Sequence, residues 1–203
     1  MKLILIRHGE TSLNKERRII GLNDVPLNAT GIAQAKAVGH ALLRDMPFSL
    51  YSSPVARAIE TACIISGVVN VPSSPIDDMR ESDVGELDGL TGAEMRARFP
   101  AFIELWTEDP GTAQMPGGES LTQVQKRAWA AVSALAEQHP DESVVVVSHN
   151  FTNLAIVTHV LDAPMRYFRR LRQELGSITR LEINKDHNVL VSLNETAHLQ
   201  GIE

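Results

Sequence analysis

The sequence MKLILIRHGET at residues 1–11 places a short apolar run directly before Arg7 and His8. A run this uniformly apolar is typical of a strand that is buried on both faces of a sheet. A second run of the same kind, VVVV at residues 144–147, leads to His149. Because the carboxyl ends of parallel strands meet at one edge of a sheet, we expect the two imidazoles to lie together there.

The composition is that of an ordinary globular chain. Its 203 residues suffice for one domain, 1–203, with a sizeable core. The formal net charge of −6 argues against a general attraction to nucleic acid or to an anionic membrane. Any anion-binding site must therefore depend on a local concentration of arginine and histidine.

The single cysteine, Cys63, excludes an intramolecular disulfide and indicates a reducing compartment, so we expect a cytoplasmic protein. Cys63 lies in a helical pattern, where a packed core thiol is expected more often than a reactive one. The N-terminal apolar run is too short for the core of a signal peptide, and no apolar stretch is long enough to span a bilayer. We therefore expect neither secretion nor membrane insertion.

Strand and helix patterns alternate, which predicts a single three-layer α/β domain with a mostly parallel central sheet and helices on both faces. Asn28 is placed to cap one helix, and Thr91 with Glu94 and Ser120 with Gln123 form candidate capping boxes for two others. A lid-like excursion at about residues 79–118 is expected to roof a site. The expected strands cover 2–7, 48–51, 143–147, 177–183 and 189–193, and the expected helices 28–43, 53–67, 91–100, 102–106, 120–139 and 151–161.

The predicted strand ends carry a dense positive cluster in an otherwise acidic protein. Arg7 and His8 follow the first strand, Arg57 comes shortly after the second, and His149 follows the valine run. Guanidinium groups match phosphate oxygens, so this cluster suits a doubly charged phosphoryl group. Asn14, shortly after His8, can add a neutral donor.

A metal site is the main alternative for two histidines at one sheet edge, because histidine is a common ligand. Two arginines beside the imidazoles would repel a divalent cation, and the chain has neither an HxH nor an HExxH spacing. A single histidine after a strand is more often a satisfied polar residue, so the interpretation depends on the joint placement of these groups. We therefore expect no metal.

Phosphoryl transfer to an imidazole requires a neutral nucleophile and a proton for the leaving oxygen. Glu81 and Asp83, in the irregular stretch MRESDVGELDG at residues 79–89, are the candidate proton donors. The alternative is that both carboxylates belong to a solvated loop face, which is where runs of charge usually lie.

With these residues in place, almost the whole chain resembles the histidine phosphatase superfamily, also called the phosphoglycerate mutase-like family. RHGET at residues 7–11 is similar to the family's RHG motif, which is highly specific at the end of a strand. The other matching parts are Asn14, GLNDVPL at 21–27, SSPVARAIETA at 52–62, RESDVGELDGLT at 80–91, PGGES at 116–120 and SVVVVSH at 143–149.

The resemblance implies a phosphatase mechanism and a role for each residue. His8 would be the nucleophile that forms a phosphohistidine, and Glu81 would protonate the leaving alcohol and then deprotonate the attacking water. Arginines would take the place that a metal ion holds in many phosphoryl transferases, so no metal or other cofactor is implied. The implied phosphate-binding residues are Arg7, Arg57 and His149, together with Gly9, Thr11 and Asn14.

One position departs from the family pattern. A glycine usually follows the second histidine, and here the residue is Asn150. Glycine allows a close approach to phosphate and a positive φ, and asparagine tolerates positive φ better than most residues. The Asn150 side chain would then project near the pocket and could contact substrate.

In this family, water resolves the phosphohistidine of a phosphatase, and a second phosphorylated substrate resolves that of a mutase. The glycolytic mutases resemble one another in an Arg- and Pro-rich stretch between the proton donor and the second histidine. Residues 95–118 contain no RRSY-like or PPP element, which favours a phosphatase. A cofactor-dependent phosphoglycerate mutase is one alternative. A catalytically weak phospholigand-binding module is another, although such a module could lose His8 or Glu81 and both are present.

The expected partner is a small-molecule phosphomonoester, and α-ribazole phosphate, phosphoserine, phosphoglycerates and sugar phosphates all stay open. The expected lining of the substrate pocket is apolar. This indicates a phosphomonoester whose alcohol has a hydrophobic or ring portion, unless the aromatic residues simply belong to the core. The ending NETAHL resembles that of small phosphatases in the family, where the tail can border the pocket. A chain of this size can be a monomer or a homodimer. The expected lining residues are Ile19, Ile20, Leu105, Trp106, Asn150, Phe151 and His198.

Overall fold

The computed structural model describes residues 1–202, in which a six-stranded sheet lies between two layers of helices. The strands are β1 Lys2–Arg7, β2 Ser49–Ser52, β3 Ser73–Pro75, β4 Ser143–Ser148, β5 Ile178–Glu182 and β6 Val189–Glu195. The helices are α1 Ser12–Lys15, α2 Ala29–Leu42, α3 Ala56–Val69, α4 Gly92–Arg98, α5 Pro100–Glu108, α6 Leu121–Gln138 and α7 Asn150–Val160.

The strand order is β3-β2-β4-β1-β5-β6. Strands β1 to β4 run parallel, and β5 and β6 add an antiparallel flank beside β1. The predicted α/β fold with a mostly parallel sheet is confirmed. Since β4 lies between β1 and β2, the residues that follow these three strands come out at one edge.

The apolar side chains of the central strands alternate between the two faces of the sheet, as the pleat requires. In β1, Leu3 and Leu5 pack against α6 and α7, whereas Ile4 and Ile6 pack against α2 and α3. The valines of β4 divide between the two faces in the same way. Burial on both faces explains why these strands read as unbroken apolar runs.

The helix signals in the sequence are largely confirmed, with one displaced helix. Asn28 caps α2, and the boxes at Thr91 and Ser120 open α4 and α6. Helix α3 begins at Ala56 rather than at Ser53, and it continues past Gly67 to Val69. Asn70 ends it in a left-handed conformation, with φ of 56°, which asparagine tolerates.

Two short elements were not predicted. Helix α1 has four residues, and β3 has three, of which one is a proline. Neither is long enough to establish a periodic pattern in the sequence.

The expectation that Cys63 is a core thiol is wrong, because its side chain is exposed. Thr61, Ala62 and Ile65 are the residues of α3 that turn toward the core around it. A helix advances by about 100° per residue, so Cys63 lies on the outer face of α3.

The stretch between β3 and α6 contains α4, α5 and irregular backbone. Its apolar side chains form a separate cluster with residues of α6 and α7. Val84, Phe102 and Met115 of this stretch pack against Val124 of α6 and Leu154 of α7. Within residues 1–202, no helix combines the length and the apolar content needed to cross a membrane.

Candidate active site

The two histidines predicted from the strand ends lie side by side. Arg7 and Ser148 are register partners in the parallel pair of β1 and β4, so His8 and His149 each come one residue beyond the ladder. The backbone N–H of His8 donates to the Ser148 carbonyl at 3.0 Å. The two imidazole centroids are 5.1 Å apart, and both rings are buried.

His8 is held as a neutral imidazole with a free electron pair at Nε2. Its Nδ1 lies 2.8 Å from the Gly9 carbonyl, which can only accept, so Nδ1 carries the proton. Arg57 Nε donates to His8 Nε2 at 3.1 Å, which requires the electron pair to be there. Burial, followed by the charges of Arg57 and Arg7, holds the pKa of His8 well below its ordinary value.

Arg57 stands in the first turn of α3 with no exposed surface. Its Nη1 donates to the Asn23 carbonyl at 3.1 Å, and its Nη2 donates to the Gly21 carbonyl at 2.8 Å. These bonds fix the guanidinium plane while its Nε points at His8. Burial lowers the pKa of Arg57, and the acid groups around it, led by Glu81, offset part of that effect.

His149 pairs with Ser53, which the sequence placed only at the start of an expected helix. Its Nε2 lies 2.7 Å from Ser53 Oγ, which already accepts the N–H of Val55. Among residues 1–202 the Ser53 hydroxyl has no other acceptor within hydrogen-bond distance, so we assign its proton to the bond with His149 Nε2 and the ring proton to Nδ1. Burial and then the charge of Arg57 hold the pKa of His149 well below its ordinary value.

Two buried donors at this edge have no partner among residues 1–202. They are Nδ1 of His149 and Nε of Arg7, whose Nη1 donates to the Gln173 carbonyl at 2.6 Å. A buried donor without an acceptor costs free energy, about 1–3 kcal/mol each. Both donors would gain their partners from an anion that binds beside His8.

Glu81 follows a short 3-10 turn after β3, and its carboxylate is 3% exposed. Oε2 accepts the N–H of Phe151 at 3.2 Å, and Oε1 accepts the N–H groups of Ser82 and Thr152 at 2.9 and 3.3 Å. The carboxylate therefore lies against the N-terminus of α7, one residue beyond His149. Of the two candidate proton donors, this is the one bonded to the first turn of α7, directly after His149. Asp83 instead accepts the Gly85 N–H, in the adjoining turn.

An apolar cavity of about 360 Å³ lies at the N-terminal end of α7, and neither Glu81 nor the two histidines is part of its wall. Phe151, whose N–H bonds to Glu81, is part of its wall, as is Asn150. Trp106 packs edge-on against Phe151, with ring centroids 6.2 Å apart. Arg169 stacks over the Trp106 ring at 5.4 Å and is the charged group of the lining. The remaining lining residues are Ile19, Val84, Leu87, Met95, Phe102, Met115 and Phe168.

The residues that follow His8 shape the turn around it. Gly9 packs so closely on Gly31 that an added Cβ would overlap the Gly31 carbonyl. Thr11 and Asn14 form a capping box for α1, in which Asn14 Oδ1 accepts the Thr11 N–H at 3.1 Å. The Asn14 side-chain NH₂ finds no hydrogen-bond acceptor within residues 1–202 and is thus available to a ligand.

The structure divides the expected specificity residues into two groups. Ile19, Trp106, Asn150 and Phe151 line the cavity, whereas Ile20, Leu105 and His198 are not part of its wall. Leu105 is 56% exposed on α5. His198 Nε2 instead donates to the Gly176 carbonyl at 2.9 Å.

Asn150 needs no unusual backbone. It is the first residue of α7, and its φ is not in the positive region that glycine would favour. The substitution for the family's glycine is therefore free of strain, and its effect is to add a polar side chain to the cavity wall.

Two parts of the site were not predicted. Arg127 of α6 and Glu119 contact the backbone around Glu81, and Thr152 contacts its carboxylate. Nothing in a helical pattern distinguishes an inward arginine of this kind from a solvated one. Within residues 1–202, no three His, Cys, Asp or Glu side chains cluster as a metal site would need.

Two buried imidazoles, two arginines and nitrogen atoms without partners thus lie together at the carboxyl edge of a parallel sheet, an arrangement suited to an anion such as a phosphoryl group. The chain belongs to the histidine phosphatase superfamily, whose branch 1 model matches residues 3–196. The predicted resemblance is confirmed.

Several similar proteins are named as phosphatases. Phosphoserine phosphatase 1 of Hydrogenobacter thermophilus is 32% identical over 199 residues, 98% of this chain and 94% of that protein. A metal-independent phosphoserine phosphatase of Arabidopsis thaliana is 29% identical over 209 residues, 99% of this chain and 84% of that protein. The solved structure of Bacillus stearothermophilus YhfR gives a TM-score of 0.92 at 28% identity, covering 98% of this chain and 99% of that one. This chain is accordingly a hydrolase of phosphate esters.

Proposed function

We propose that the protein is a metal-independent phosphomonoesterase that works through a phosphohistidine on His8. The observation that carries the proposal is the electron pair of His8 Nε2, which lies beside Arg57 and near two buried donors without partners. A phosphoryl group bound there would satisfy Arg7 Nε and His149 Nδ1 while presenting its phosphorus to Nε2. The guanidinium groups of Arg7 and Arg57 would repel a divalent cation in the same place.

In the first step, the electron pair of Nε2 attacks phosphorus and the bond from phosphorus to the alcohol oxygen breaks. Arg57 Nε gives up its bond to His8 and donates to a phosphoryl oxygen instead. Glu81 transfers a proton to the departing alcohol oxygen. In the second step, Glu81 takes a proton from water as the water oxygen bonds to phosphorus. The P–N bond breaks, which releases inorganic phosphate and neutral His8.

The apolar cavity supports a substrate whose alcohol carries a hydrophobic or ring portion. Its wall includes Phe151, whose N–H bonds to the Glu81 carboxylate, and aromatic and aliphatic side chains form most of the rest. The leaving alcohol must lie near Glu81, so it would extend toward this cavity. Two relatives are named for phosphoserine, whose alcohol is small and polar. We infer that this chain prefers a bulkier and less polar alcohol, and that residues 79–118 act as the roof over it.

The test measures phosphate release from a panel of phosphomonoesters in the presence of EDTA. A rapid-quench experiment also looks for protein that carries the phosphoryl group of the substrate. The panel contains phenyl phosphate, phosphoserine, α-ribazole phosphate and 3-phosphoglycerate, the last with and without 2,3-bisphosphoglycerate. We expect hydrolysis in EDTA, fastest with the ring-bearing esters, and an acid-labile phosphoenzyme. His8→Ala should abolish both signals, and His40→Ala, at an exposed histidine of α2, should change neither.

Normal turnover by His8→Ala would overturn the mechanism, and loss of activity with EDTA would establish a metal requirement. Conversion of 3- to 2-phosphoglycerate without phosphate release would make the protein a mutase.

A further inference from the structure

We propose that Arg127 is a positioning residue that holds Glu81 where it can protonate the leaving alcohol. The inference rests on the proposed function of Glu81. Arg127 lies on α6, and it touches none of the groups assigned to the phosphoryl site except through the backbone of Glu81. It would act on catalysis through the carboxylate that it places.

The Arg127 guanidinium binds three backbone carbonyls of the segment that carries Glu81. Nη1 donates to the carbonyls of Asp78 and Arg80 at 2.7 and 2.9 Å. Nη2 donates to the carbonyl of Glu81 itself at 3.0 Å. Three of the four successive carbonyls from residue 78 to residue 81 thus accept hydrogen bonds from one side chain.

Glu119 orients this guanidinium and also binds the backbone further along the chain. Glu119 Oε2 accepts from Arg127 Nε at 3.1 Å and Oε1 accepts from Nη2 at 2.7 Å, with both side chains largely buried. Oε1 also accepts the N–H of Asp83 at 2.9 Å. The pair of Arg127 and Glu119 therefore clamps the backbone on both sides of Glu81.

The clamped segment has little regular structure of its own to fix its position. Residues 80–84 belong to neither a helix nor a strand, and side chains satisfy several of their backbone groups. Ser148 Oγ donates to the Met79 carbonyl at 2.7 Å, and Thr152 Oγ1 donates to the Arg80 carbonyl at 2.7 Å. These two contacts tie the segment to β4 and α7, and the Arg127 clamp ties it to α6.

A general acid must lie within hydrogen-bond reach of the leaving oxygen, and a displacement of about 1 Å can cost about a hundredfold in rate. Lysine would keep the positive charge of Arg127, which also contributes to the lowered pKa of His149. It would lose the planar fork that serves three carbonyls and a carboxylate at once. Arg127→Lys therefore changes how Glu81 is positioned while the positive charge at residue 127 is kept.

The experiment compares two ring-bearing substrates that differ in their need for a proton. The leaving group of p-nitrophenyl phosphate departs as a stable anion, whereas the alkoxide of benzyl phosphate must be protonated. The measured quantity is kcat/KM, which reports the transfer to His8 and excludes the later hydrolysis step. Each variant is also melted thermally to establish that it is folded.

For Glu81→Gln, we expect kcat/KM on benzyl phosphate to fall by about 10²–10⁴-fold, with a much smaller loss on p-nitrophenyl phosphate. For Arg127→Lys, we expect a fall of about 10- to 100-fold on benzyl phosphate and no more than about twofold on p-nitrophenyl phosphate. Lys126→Arg, the reverse exchange at the exposed neighbouring position, should leave both rates unchanged. Glu119→Gln should reproduce the selective loss, and it carries the test if Arg127→Lys does not fold.

Equal losses on the two substrates in a folded Arg127 or Glu119 variant would overturn the positioning role, with the function of Glu81 intact. Equal losses in Glu81→Gln would overturn the proposed general acid and the positioning role with it.

Discussion

At the scale of single residues, burial and two neighbouring guanidinium groups keep His8 and His149 neutral, because both oppose a further positive charge. In the proposed mechanism, that state gives His8 an electron pair for phosphorus and leaves His149 one N–H for a phosphoryl oxygen. The sequence predicted that these two residues and Arg57 would meet at strand ends. It could not predict the proton positions, because those depend on Ser53 and on the Gly9 carbonyl.

Neutral burial of the two histidines makes the folded protein sensitive to acid. Their folded pKa values lie below the unfolded value of about 6.5, so below that pH the unfolded chain binds more protons than the folded one. The stabilisation that each neutral ring contributes is fully present above about pH 6.5. Below that pH, each ring lowers the free energy of unfolding by about 1.4 kcal/mol per pH unit. Urea unfolding between pH 5 and pH 8 measures this slope.

His149→Gln removes one of the titrating rings while keeping a side-chain amide near Ser53. We expect its unfolding free energy to fall less steeply below pH 6.5 than that of the unchanged protein. Equal slopes in the two proteins would show that His149 does not titrate on unfolding as its burial requires.

At the scale of elements, the helices with polar caps were predicted well and the segment around Glu81 was not. Caps and apolar periodicity are local signals, and Asn28, Thr91 and Ser120 start their helices as expected. The Glu81 segment is held by side chains from three distant elements, and no local pattern encodes such contacts. The same limitation applies to β3, whose three residues pair with β2 only because the fold brings them together.

The cap of α2 provides a measurable case. Asn28 Oδ1 accepts the Gly31 N–H at 2.9 Å, and its Nδ2 donates to Glu10 at 2.7 Å. We expect Asn28→Ala to lower the free energy of unfolding by about 1–2 kcal/mol, because both bonds are lost. Asn28→Ser keeps a capping oxygen and should cost less. Denaturant midpoints measured at constant m-value check both variants, and an unchanged midpoint for Asn28→Ala would contradict the role of the cap.

Across the whole molecule, the alternation of strands and helices was sufficient to predict a three-layer α/β fold. It could not supply the strand order, in which β4 enters between β1 and β2 late in the chain. It also could not show that β5 and β6 turn antiparallel, since the apolar pattern of a strand does not record its direction. The positions of His8, Arg57 and His149 depend on the parallel part alone, which is why the site was predicted better than the topology.

The antiparallel flank is tied to the α2 layer by a half-buried ion pair. Arg180 of β5 makes two parallel bonds to Asp45, at 2.8 and 3.0 Å, and a further bond to Glu195 of β6. We expect Asp45→Ala to lower the unfolding free energy by about 1–3 kcal/mol, because two donors of a largely covered guanidinium lose their acceptor. Arg172→Ala, from a pair whose arginine is 83% exposed, should change it by no more than about 0.5 kcal/mol. Thermal and urea unfolding compare the two, and similar losses in both variants would refute the distinction.

The outward position of Cys63 has a practical consequence for experiments on this protein. It is the chain's single cysteine and its thiol is exposed, so a maleimide dye would attach at one known place without any engineering. Six residues separate it from Arg57 on α3, about 9 Å along the helix axis. A fluorophore there would sit outside the phosphoryl site while riding on the helix that carries one of its arginines, and would let single molecules be tethered in a uniform orientation.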